Sequence, residues 1–367
     1  MALDEKKHDV ILTDDELSRK VIDGTVSGNE VTILDYVNLK KLPEFADLNT
    51  QVTAIVNQSS WWELYGIDWL VTLQGVLGSF LAYWLMGLDS ILYFGLGIVL
   101  LGICHSVLAT KAGHCAAHGA FCVSPAWNRF WTVFFVEFIG SFSADVAVDI
   151  HIKSHHPHTN IIGMGDSSTF RMPMIPCIPY LFITPLCVPI LTPVVGALTL
   201  LDKPLKLIRM LIIVILGLST NIYFMTTISG LSLWQAVICT FVSRSIMGIP
   251  YIHINIFQHI GLPMYSRDNR PKRIYLMSTA VLNLPRNIIL DRAFGHGIIN
   301  CHVEHHLFPR LSDNMCLTIK PIVSSFLKNN GLPYNEKTYL NRLKLFVNKY
   351  EELMVNAPPI THFVGLQ

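Results

Sequence analysis

Residues 66–87 read GIDWLVTLQGVLGSFLAYWLMG and residues 89–109 read DSILYFGLGIVLLGICHSVLA, so one residue separates two long apolar stretches. Each stretch has the roughly 20 residues that an α-helix needs to cross a bilayer. The short connection predicts a membrane hairpin, and residues 207–229 and 231–250 predict a second one. With 51% hydrophobic and 14% charged residues, the 367-residue chain is predicted to be an all-α, polytopic membrane protein with four transmembrane helices.

Eight of the fifteen histidines lie in three clusters, each close to a long apolar stretch. The clusters are His114-x-x-x-His118, His151-x-x-x-His155-His156 and His302-x-x-His305-His306. Residues three or four apart share a face of a helix, so both imidazoles of such a pair can point at one metal ion. This many nitrogen donors exceeds the four-coordinate shell of one structural zinc, which predicts two metal ions. Imidazole binds iron, zinc, copper and nickel, so the pattern leaves the metal open.

Two further apolar stretches, residues 130–148 and 175–201, lie between the clusters. A metal site shared by all clusters requires an even number of membrane crossings between each cluster and the next. We therefore predict that neither stretch spans the membrane. Glu137 and Asp145 in the first stretch favour a helix that lies in the interface. The five prolines of the second break regular helix, which favours a re-entrant or surface segment.

The basic residues around the predicted spans indicate an orientation. Lys203, Lys206 and Arg209 are predicted on the same side as Lys111 and Arg129, whereas the opposite hairpin turns carry no Lys or Arg. Lysine and arginine are enriched in cytoplasmic loops, so the metal side is predicted to face the cytosol. The first 60 residues are polar and show no apolar signal-peptide region.

Three parts are predicted along the chain. They are a cytosolic N-terminal arm at residues 1–60, a membrane domain with the histidine clusters at 61–320, and a cytosolic helical tail at 321–367. The tail places apolar positions among charges, as in amphipathic helices packed on a cap. The eight cysteines form no C-x-x-C pair and are expected to be reduced thiols. A net charge of +1 indicates no nucleic-acid partner.

The three clusters carry a resemblance to a known family. The segments HCAAH (114–118), HIKSHHPHTN (151–160) and HVEHHLFPRLS (302–312) resemble the three histidine boxes of membrane fatty acid desaturases, in order and in approximate spacing. The resemblance covers roughly residues 60 to 320. Asn255-x-x-x-His259, which follows the last predicted span, resembles the asparagine and additional histidine of the acyl-CoA desaturase metal site. The third box has His302 where many front-end desaturases have glutamine, so the position of the double bond stays open.

This resemblance implies a ligand set and a reaction. The implied ligands are His114, His118, His151, His155, His156, His259, His302, His305 and His306, with Asn255 holding a metal through water. Two Fe ions would use O2 to introduce a double bond into a fatty acyl chain, carried as acyl-CoA or in a membrane lipid. Electrons would come from separate cytochrome b5 and its NADH-dependent reductase, since the chain has no His-Pro-Gly-Gly motif of a fused haem domain. The family implies a location in the endoplasmic reticulum.

Other polar residues near the boxes admit two interpretations. Glu304, Asp149 and Asn160 are candidates to orient ligand histidines through hydrogen bonds, or they are ordinary solvated or capping residues. We interpret His253 as a core or interface histidine because it faces away from Asn255 on a helix. The six histidines left outside the ligand set are His8, His105, His158, His253, His296 and His362.

Three alternatives to a desaturase remain open at this point. The same scaffold could hydroxylate a lipid, because oxygen can rebound onto the carbon radical. A non-catalytic relative could bind lipid or regulate another membrane protein. A metal transporter is disfavoured, because transport ligands lie near the bilayer midplane whereas these boxes lie at or beyond the ends of spans.

Overall fold

The computed structural model describes residues 42–164, 166, 174–268 and 270–354. Within these ranges the regular structure is helical, and the two isolated β-bridges, Ile161 with Tyr265 and Asn283 with Glu336, belong to no strand. The all-α prediction is therefore confirmed for the described part of the chain. Most of the predicted N-terminal arm, and His362, lie outside the described residues.

The α-helices are numbered here in chain order. They are α1 (Phe45–Gln58), α2 (Ile67–Met86), α3 (Ile91–Ser106), α4 (Gly113–Ala117), α5 (Pro125–Thr132), α6 (Ala144–Ala147), α7 (His156–His158), α8 (Val188–Thr199), α9 (Pro204–Ile228), α10 (Leu233–Ile246), α11 (Gly248–Phe257), α12 (Arg273–Ala280), α13 (Ile288–Phe294), α14 (His302–Leu307), α15 (Asp313–Asn329), α16 (Tyr339–Asn348) and α17 (Tyr350–Met354). Wider π-helical turns join several of them. These turns are Trp62–Gly66, Val107–Ala112, Val133–Ile139, Val148–His155 and Pro179–Ile183.

Five helical stretches in the described ranges are long and apolar enough to cross a membrane. They are Trp62–Met86, Ile91–Ala117, Pro179–Thr199, Pro204–Ile228 and Leu233–Phe257. This confirms a multi-pass membrane protein. Four of the stretches overlap the four predicted spans, although each begins or ends several residues away from the predicted bounds. The remaining one, Pro179–Thr199, lies where we predicted a segment that does not span, so the count of four crossings stays a prediction.

The stretch Pro179–Thr199 is irregular. A π-helical turn, a 3₁₀ turn at Thr184–Cys187 and α8 follow one another, and Pro193 lies inside α8. The 12 residues of α8 extend roughly 18 Å, well short of the roughly 30 Å hydrocarbon core. Proline lacks the N–H that a helix interior needs, so the sequence itself prevents one continuous helix here.

The spanning helices pack through a few polar bonds set in an apolar core. The Tyr83 hydroxyl donates to Asn221 Oδ1 at 2.7 Å, and Asn221 Nδ2 donates to Thr240 Oγ1 at 2.8 Å. Ser229 Oγ donates to the Tyr83 carbonyl at 2.7 Å. These bonds connect α2, α9 and α10, whose neighbouring side chains include the buried Met225 and Met86. A bilayer cannot satisfy polar groups, so such bonds help to fix helix register.

Residues 130–148 lie outside the five candidate spans, as predicted. Arg209 of α9 contacts this segment through its guanidinium, with Nη2 at 2.5 Å from Glu137 Oε1 and 2.9 Å from Asp145 Oδ2. Lys206 lies 3.2 Å from Asp145. The predicted acidic residues of this segment therefore pair with basic residues at the start of a spanning helix.

The C-terminal helices pack against the end of the last span. Val323, Leu327 and Phe346 are buried, as the amphipathic pattern predicted. Buried Arg342 donates to the carbonyl of Phe257 at 2.7 Å and to that of Ile260, and so caps the helix that leads to His259. The predicted boundary at residue 320 falls inside α15, which means that the tail and the membrane domain share a helix.

Candidate metal centre

The structure brings all nine predicted histidines together in two adjacent groups. The five-histidine group contains His114, His118, His151, His156 and His305, and the four-histidine group contains His155, His259, His302 and His306. Within each group the ring nitrogens that could bind a metal lie within 4.8 Å of one another. Every box contributes to the five-histidine group, and the second and third boxes also contribute to the other. Two groups match the predicted count of two metal ions.

Backbone geometry decides which histidines share a group. His114 and His118, four residues apart, lie in the five-histidine group. His302 and His306, also four apart, lie in the four-histidine group. The second box differs, because His151 joins His156, five residues away, and not His155. Residues 148–155 form a π-helix, whose hydrogen bonds join residues five apart. Two pairs at a spacing of three or four residues, His151 with His155 and His302 with His305, therefore lie in different groups.

The Nδ1 atoms of the four-histidine group all face hydrogen-bond acceptors. His155 Nδ1 lies 2.7 Å from Asp166 Oδ1, and His302 Nδ1 lies 2.9 Å from the Gly297 carbonyl. His259 Nδ1 lies 3.2 Å from the Ala280 carbonyl. Because carbonyl and carboxylate oxygens accept hydrogen bonds, these rings carry their proton on Nδ1.

His306 follows the same rule through a hydroxyl. Its Nδ1 lies 3.2 Å from Thr159 Oγ1, and that hydroxyl already donates to the His155 carbonyl at 2.8 Å. The threonine oxygen is therefore an acceptor for His306. With its proton on Nδ1, a singly protonated ring presents an unprotonated Nε2.

These four Nε2 lone pairs converge. His259 Nε2 lies 2.8 Å from His302 Nε2, and His155 Nε2 lies 3.2 Å from His306 Nε2. Two nitrogens that both lack a proton repel one another at such distances unless a cation lies between them. Ligand nitrogens about 2.1 Å from one ion and at right angles would be about 3 Å apart. The four-histidine group thus fits a metal ion in both protonation and spacing.

In the five-histidine group several Nε2 atoms also lie close together. His151 Nε2 lies 2.9 Å from His114 Nε2 and 3.2 Å from His156 Nε2, which in turn lies 3.1 Å from His305 Nε2. Buried His118 Nε2 has no hydrogen-bond partner among the described residues. A buried, unpaired nitrogen costs free energy unless something binds it, so a metal fits here as well.

Burial keeps these imidazoles neutral. Loss of solvation and the neighbouring rings hold the pKa of His118, His156 and His305 well below the usual value. Burial likewise lowers the pKa of His302 to about 3. Neutral imidazole is the form that binds metals, so the two groups are ready to act as ligands.

Among the acidic residues near the boxes, the structure selects one that sequence reasoning missed. Asp166 accepts from His155 Nδ1 and from the backbone N–H of Asn160, which itself donates through Nδ2 to the His259 carbonyl at 3.1 Å. Asp149 instead forms an exposed ion pair with Lys153. Nothing in the spacing of Asp166, ten residues beyond His156, distinguishes it from other acidic residues.

Glu304 contacts neither histidine group through a hydrogen bond among the described residues. Its carboxylate accepts from Tyr334 at 2.7 Å and from Asn283 at 3.0 Å, beneath α14. Burial raises the pKa of Glu304 to about 7, against the lowering effect of these two hydrogen bonds. Asn283 also accepts from the Val303 N–H at 2.9 Å, so Glu304 supports the backbone of the third box.

Asp166→Asn is expected to weaken metal binding about 10- to 100-fold, the usual effect of losing a charged partner of a metal-bound histidine. The amide oxygen can still accept from His155, but it lacks the negative charge that raises the basicity of that ring. Metal bound per chain, titrated with limiting ferrous iron as the probe, measures the effect. Asp149→Asn is the matched control and should bind metal as wild type does, because Asp149 pairs with exposed Lys153. Equal affinities for both variants would contradict the role of Asp166.

The remaining candidates lie elsewhere. His253 is buried and bonds to the Tyr339 hydroxyl at 2.5 Å and the Leu181 carbonyl at 2.8 Å, which confirms it as a core histidine. His105, His158 and His296 lie outside both groups. Asn255 is exposed, and its Nδ2 donates to the Tyr251 carbonyl at 2.7 Å. A water-mediated role for Asn255 stays a prediction.

A cavity of about 940 Å³ reaches the five-histidine group at His118 and His156. Asn128 lines it, whereas Trp127 is exposed on the surface. Its lining is strongly basic. The basic lining residues are Arg129, Lys153, Lys206, Arg209, Arg270, Arg273 and Arg310. Asp145 and Asp149 are the acidic lining residues, so the cavity carries a surplus of positive charge.

Metal-stripped protein is expected to lose thermal stability as the pH falls below about 6.5, the usual histidine pKa. Histidines in the unfolded chain take up protons in this pH range, whereas the buried histidines with lowered pKa values do not. The unfolded state is therefore stabilised relative to the folded state. Those histidines, outside the candidate spans, are His118, His151, His156, His259, His302, His305 and His306. Glu304, with its raised pKa, acts in the opposite sense between about pH 4.5 and 7.

Melting temperatures of chelator-treated protein between pH 8 and 5.5 measure this dependence. Glu304→Gln should make the decline toward acid steeper, because it removes the opposing group. A melting temperature independent of pH would show that the histidines are not buried as neutral groups.

Comparison with known proteins agrees with this site. Residues 89–338 match the family model described as fatty acid desaturase. The match covers most of this chain, which is an α-helical multi-pass membrane protein with three converging histidine boxes. The chain therefore belongs to the fatty acid desaturase family. The family membership predicted from the boxes is confirmed.

Three individual proteins show how similar the chain is to members of this family. The chain is 49% identical over 323 residues to Fatty acid desaturase 6 of Bos taurus, covering 88% of this chain and 94% of the relative. It is 47% identical over 322 residues to Fatty acid desaturase 6 of Homo sapiens, covering 87% and 90%. Delta(5) fatty acid desaturase fat-4 of Caenorhabditis elegans is 26% identical over 131 residues, 35% of this chain and 29% of that protein.

Proposed function

We propose that this chain is an O2-dependent fatty acyl desaturase with two irons held by histidine. The observation that carries the proposal is the convergence of unprotonated Nε2 atoms in the four-histidine group, beside a second group of five, in a member of the fatty acid desaturase family. Donors that are all imidazole suit iron among other metals, and the family favours iron.

Each group would hold one iron. Asn255, one helical turn before His259, would complete the shell of the four-histidine group through water. When bound, the two irons supply the reduction of O2 and the removal of hydrogens from two adjacent methylenes of an acyl chain. The part played by the chain is to bury the rings, to fix four of them by Nδ1–H bonds and to shield the groups from solvent.

The electrons would come from separate cytochrome b5 and its reductase, as the family implies. Lipid hydroxylation on the same scaffold is the alternative reaction, because the same hydrogen removal precedes both outcomes. A non-catalytic lipid-binding or regulatory relative is a further alternative. Metal transport is disfavoured, since the histidines cluster at and beyond the ends of the apolar helices.

We infer four membrane crossings, and the contacts between boxes support this count. His156 and His305 approach to 3.1 Å, although three candidate spans separate them in sequence. An odd number of complete crossings would place them on opposite faces of the membrane. The irregular stretch Pro179–Thr199 is the one that would not cross, which leaves two hairpins. The positive-inside pattern then turns the site toward the cytosol, in keeping with the endoplasmic reticulum.

The basic cavity supports a substrate whose acyl chain is attached to an anionic head. Four of its arginines form no ion pair among the described residues. They are Arg129, Arg270, Arg273 and Arg310. The phosphate groups of acyl-CoA or of a phospholipid would neutralise this positive charge, whereas a neutral glyceride would not.

Arg310→Gln is expected to raise KM by about tenfold for an anionic substrate, with kcat nearly unchanged, because one charged contact contributes to ground-state and transition-state binding alike. Initial rates with purified protein, cytochrome b5 and its reductase measure both constants. Leu340→Gln serves as the control, since Leu340 is exposed and does not line the cavity. An unchanged KM would remove Arg310 from substrate binding.

Lipid analysis tests the proposed function directly. Desaturase-deficient cells would express the wild-type chain or His305→Ala, with cytochrome b5 and its reductase supplied. A new acyl double bond with wild type alone is the expected result, and its position would define the regiochemistry. A new hydroxyl group would establish the hydroxylase, and unchanged lipids together with bound iron would favour the non-catalytic alternative.

A further inference from the structure

A buried ion triad lies beside the two histidine groups. Lys111 Nζ lies 2.5 Å from Asp68 Oδ1 and 3.1 Å from Asp313 Oδ2, and the three side chains are at most 9% exposed. Asp68 and Lys111 belong to the first and second candidate spans, and Asp313 begins α15. Charges in a membrane protein interior are costly, so their retention suggests a specific role.

The triad is connected to the four-histidine group. Asp313 Oδ1 accepts from the Gly297 N–H at 2.7 Å. The Gly297 carbonyl in turn accepts from His302 Nδ1 at 2.9 Å. Asp313 therefore holds the peptide segment that determines which nitrogen of His302 carries the proton. At Gly295, where φ is +95°, a Cβ would lie 2.6 Å from Asp313 Oδ1, so only glycine permits this close approach.

The triad is connected to the five-histidine group as well. Lys111 precedes His114 by three residues in the same continuous helical stretch, which places the two on adjacent turns. Asp68 fixes Lys111 from the first span, and its Oδ2 also accepts from the Asn314 N–H at 3.1 Å. One lysine thus joins the helix that presents His114 to the segment that orients His302.

We propose that Asp68, Lys111 and Asp313 are positioning residues that hold the two histidine groups in register and fix the Nδ1–H form of His302. The inference rests on the proposed function only in taking the groups as iron sites. A carboxylate with one oxygen on the lysine and the other on the Gly297 N–H couples the two membrane helices to the third histidine box. Loss of either partner would free the Gly297 peptide and weaken binding in the four-histidine group first.

Iron binding without turnover tests this proposal. Anaerobic ferrous iron, enriched in ⁵⁷Fe, would be titrated into purified metal-free protein, and Mössbauer spectra would resolve the two irons. The signal that disappears in His302→Ala identifies the four-histidine group. Asp313→Ala and Lys111→Met are expected to lower the iron affinity of the four-histidine group about tenfold. This is the low end of the effect for partners of metal-bound histidines. Lys111→Arg, which keeps the charge, should restore it.

Asp291→Asn is the matched control, a buried carboxylate paired with Arg286 outside the triad, and it should bind iron as wild type does. If Asp313→Ala does not fold, Asp313→Asn replaces it, and the same selective loss is expected. Wild-type affinity at both irons in Asp313→Ala and Lys111→Met would overturn the proposal. Equal loss of both irons with a lower melting temperature of metal-free protein would also overturn it, since the triad would then only support the fold.

Because these measurements need no lipid substrate, they separate this inference from the reaction. Two irons with the expected selective loss, but no change in cellular lipids, would uphold the triad and reject the desaturase. Lipid desaturation by the wild-type chain, with unaltered iron affinities in the triad variants, would uphold the desaturase and reject the role of the triad.

Discussion

Alanine at His305 is expected to abolish desaturation, reducing turnover by far more than the 10- to 100-fold typical of losing a partner of a metal-bound histidine. His305 is 2% exposed and its Nε2 lies 3.1 Å from His156 Nε2. Its ring also lies 4.5 Å from that of His114, between centroids. Removal would take one of five donors from the group that borders the cavity. Product formation per minute in membranes, with equal expression, measures the loss.

His253→Gln is the control for His305→Ala, because it alters another buried histidine that belongs to neither group. It should retain turnover within a few-fold despite losing a hydrogen bond. Membrane insertion should survive in His305→Ala, since His305 lies outside the candidate spans. Turnover of His305→Ala within tenfold of wild type would exclude His305 from the metal centre.

Gly217→Ala is expected to destabilise the membrane domain by about 3 kcal/mol or more, at or above the usual upper range for overpacking. A Cβ at Gly217 would overlap the Phe138 carbonyl oxygen and lie 2.7 Å from the carbonyl carbon. These are backbone atoms of the π-helical segment Val133–Ile139, so no side-chain rotation can relieve the clash. α9 and this segment would have to separate, and the Arg209 contacts with Glu137 would weaken.

The melting temperature of the detergent-purified variant measures that destabilisation. Gly95→Ala is the matched control in another spanning helix, because a Cβ there would meet nothing within 4 Å. It should be neutral or stabilising, since alanine favours helix over glycine by about 1 kcal/mol. Equal melting temperatures for both variants would contradict the packing of α9 on residues 133–139.

The apolar helices and the eight clustered histidines could be predicted because their signals are local, whereas His259 was implied by the family resemblance. Twenty consecutive apolar residues specify a spanning helix, and imidazoles at helical spacing specify a shared face. The assignment of each histidine to a group could not, because it depends on whether the backbone is α- or π-helical. His151 and His155 are four apart, yet the π-helix at Val148–His155 directs His151 toward His156.

The residues that orient the histidines were beyond sequence reasoning for a different reason. Asp166, Thr159 and Gly297 act through contacts across loops, and no spacing rule connects them to their partners. Asp149 lies closer to the second box in sequence but pairs with Lys153 at the surface. Proximity along the chain is thus a poor guide to the partners of metal-binding side chains, which tertiary packing selects.

The stretch from 175 to 201 shows the limit of composition. Its hydropathy and length meet the requirements for a span, whereas its prolines and broken helices argue against one. The contact between the second and third boxes favours a segment that does not cross the membrane. That contact is a tertiary fact, which the apolar pattern of the stretch does not encode.

The proposed centre depends most on two irons whose direct protein ligands are all histidine nitrogens. Iron anomalous scattering from crystals of the purified chain tests this directly. We predict two peaks per chain, one within the five-histidine group and one within the four-histidine group, and loss of the second in His302→Ala. A single peak, or peaks remote from both groups, would contradict the account.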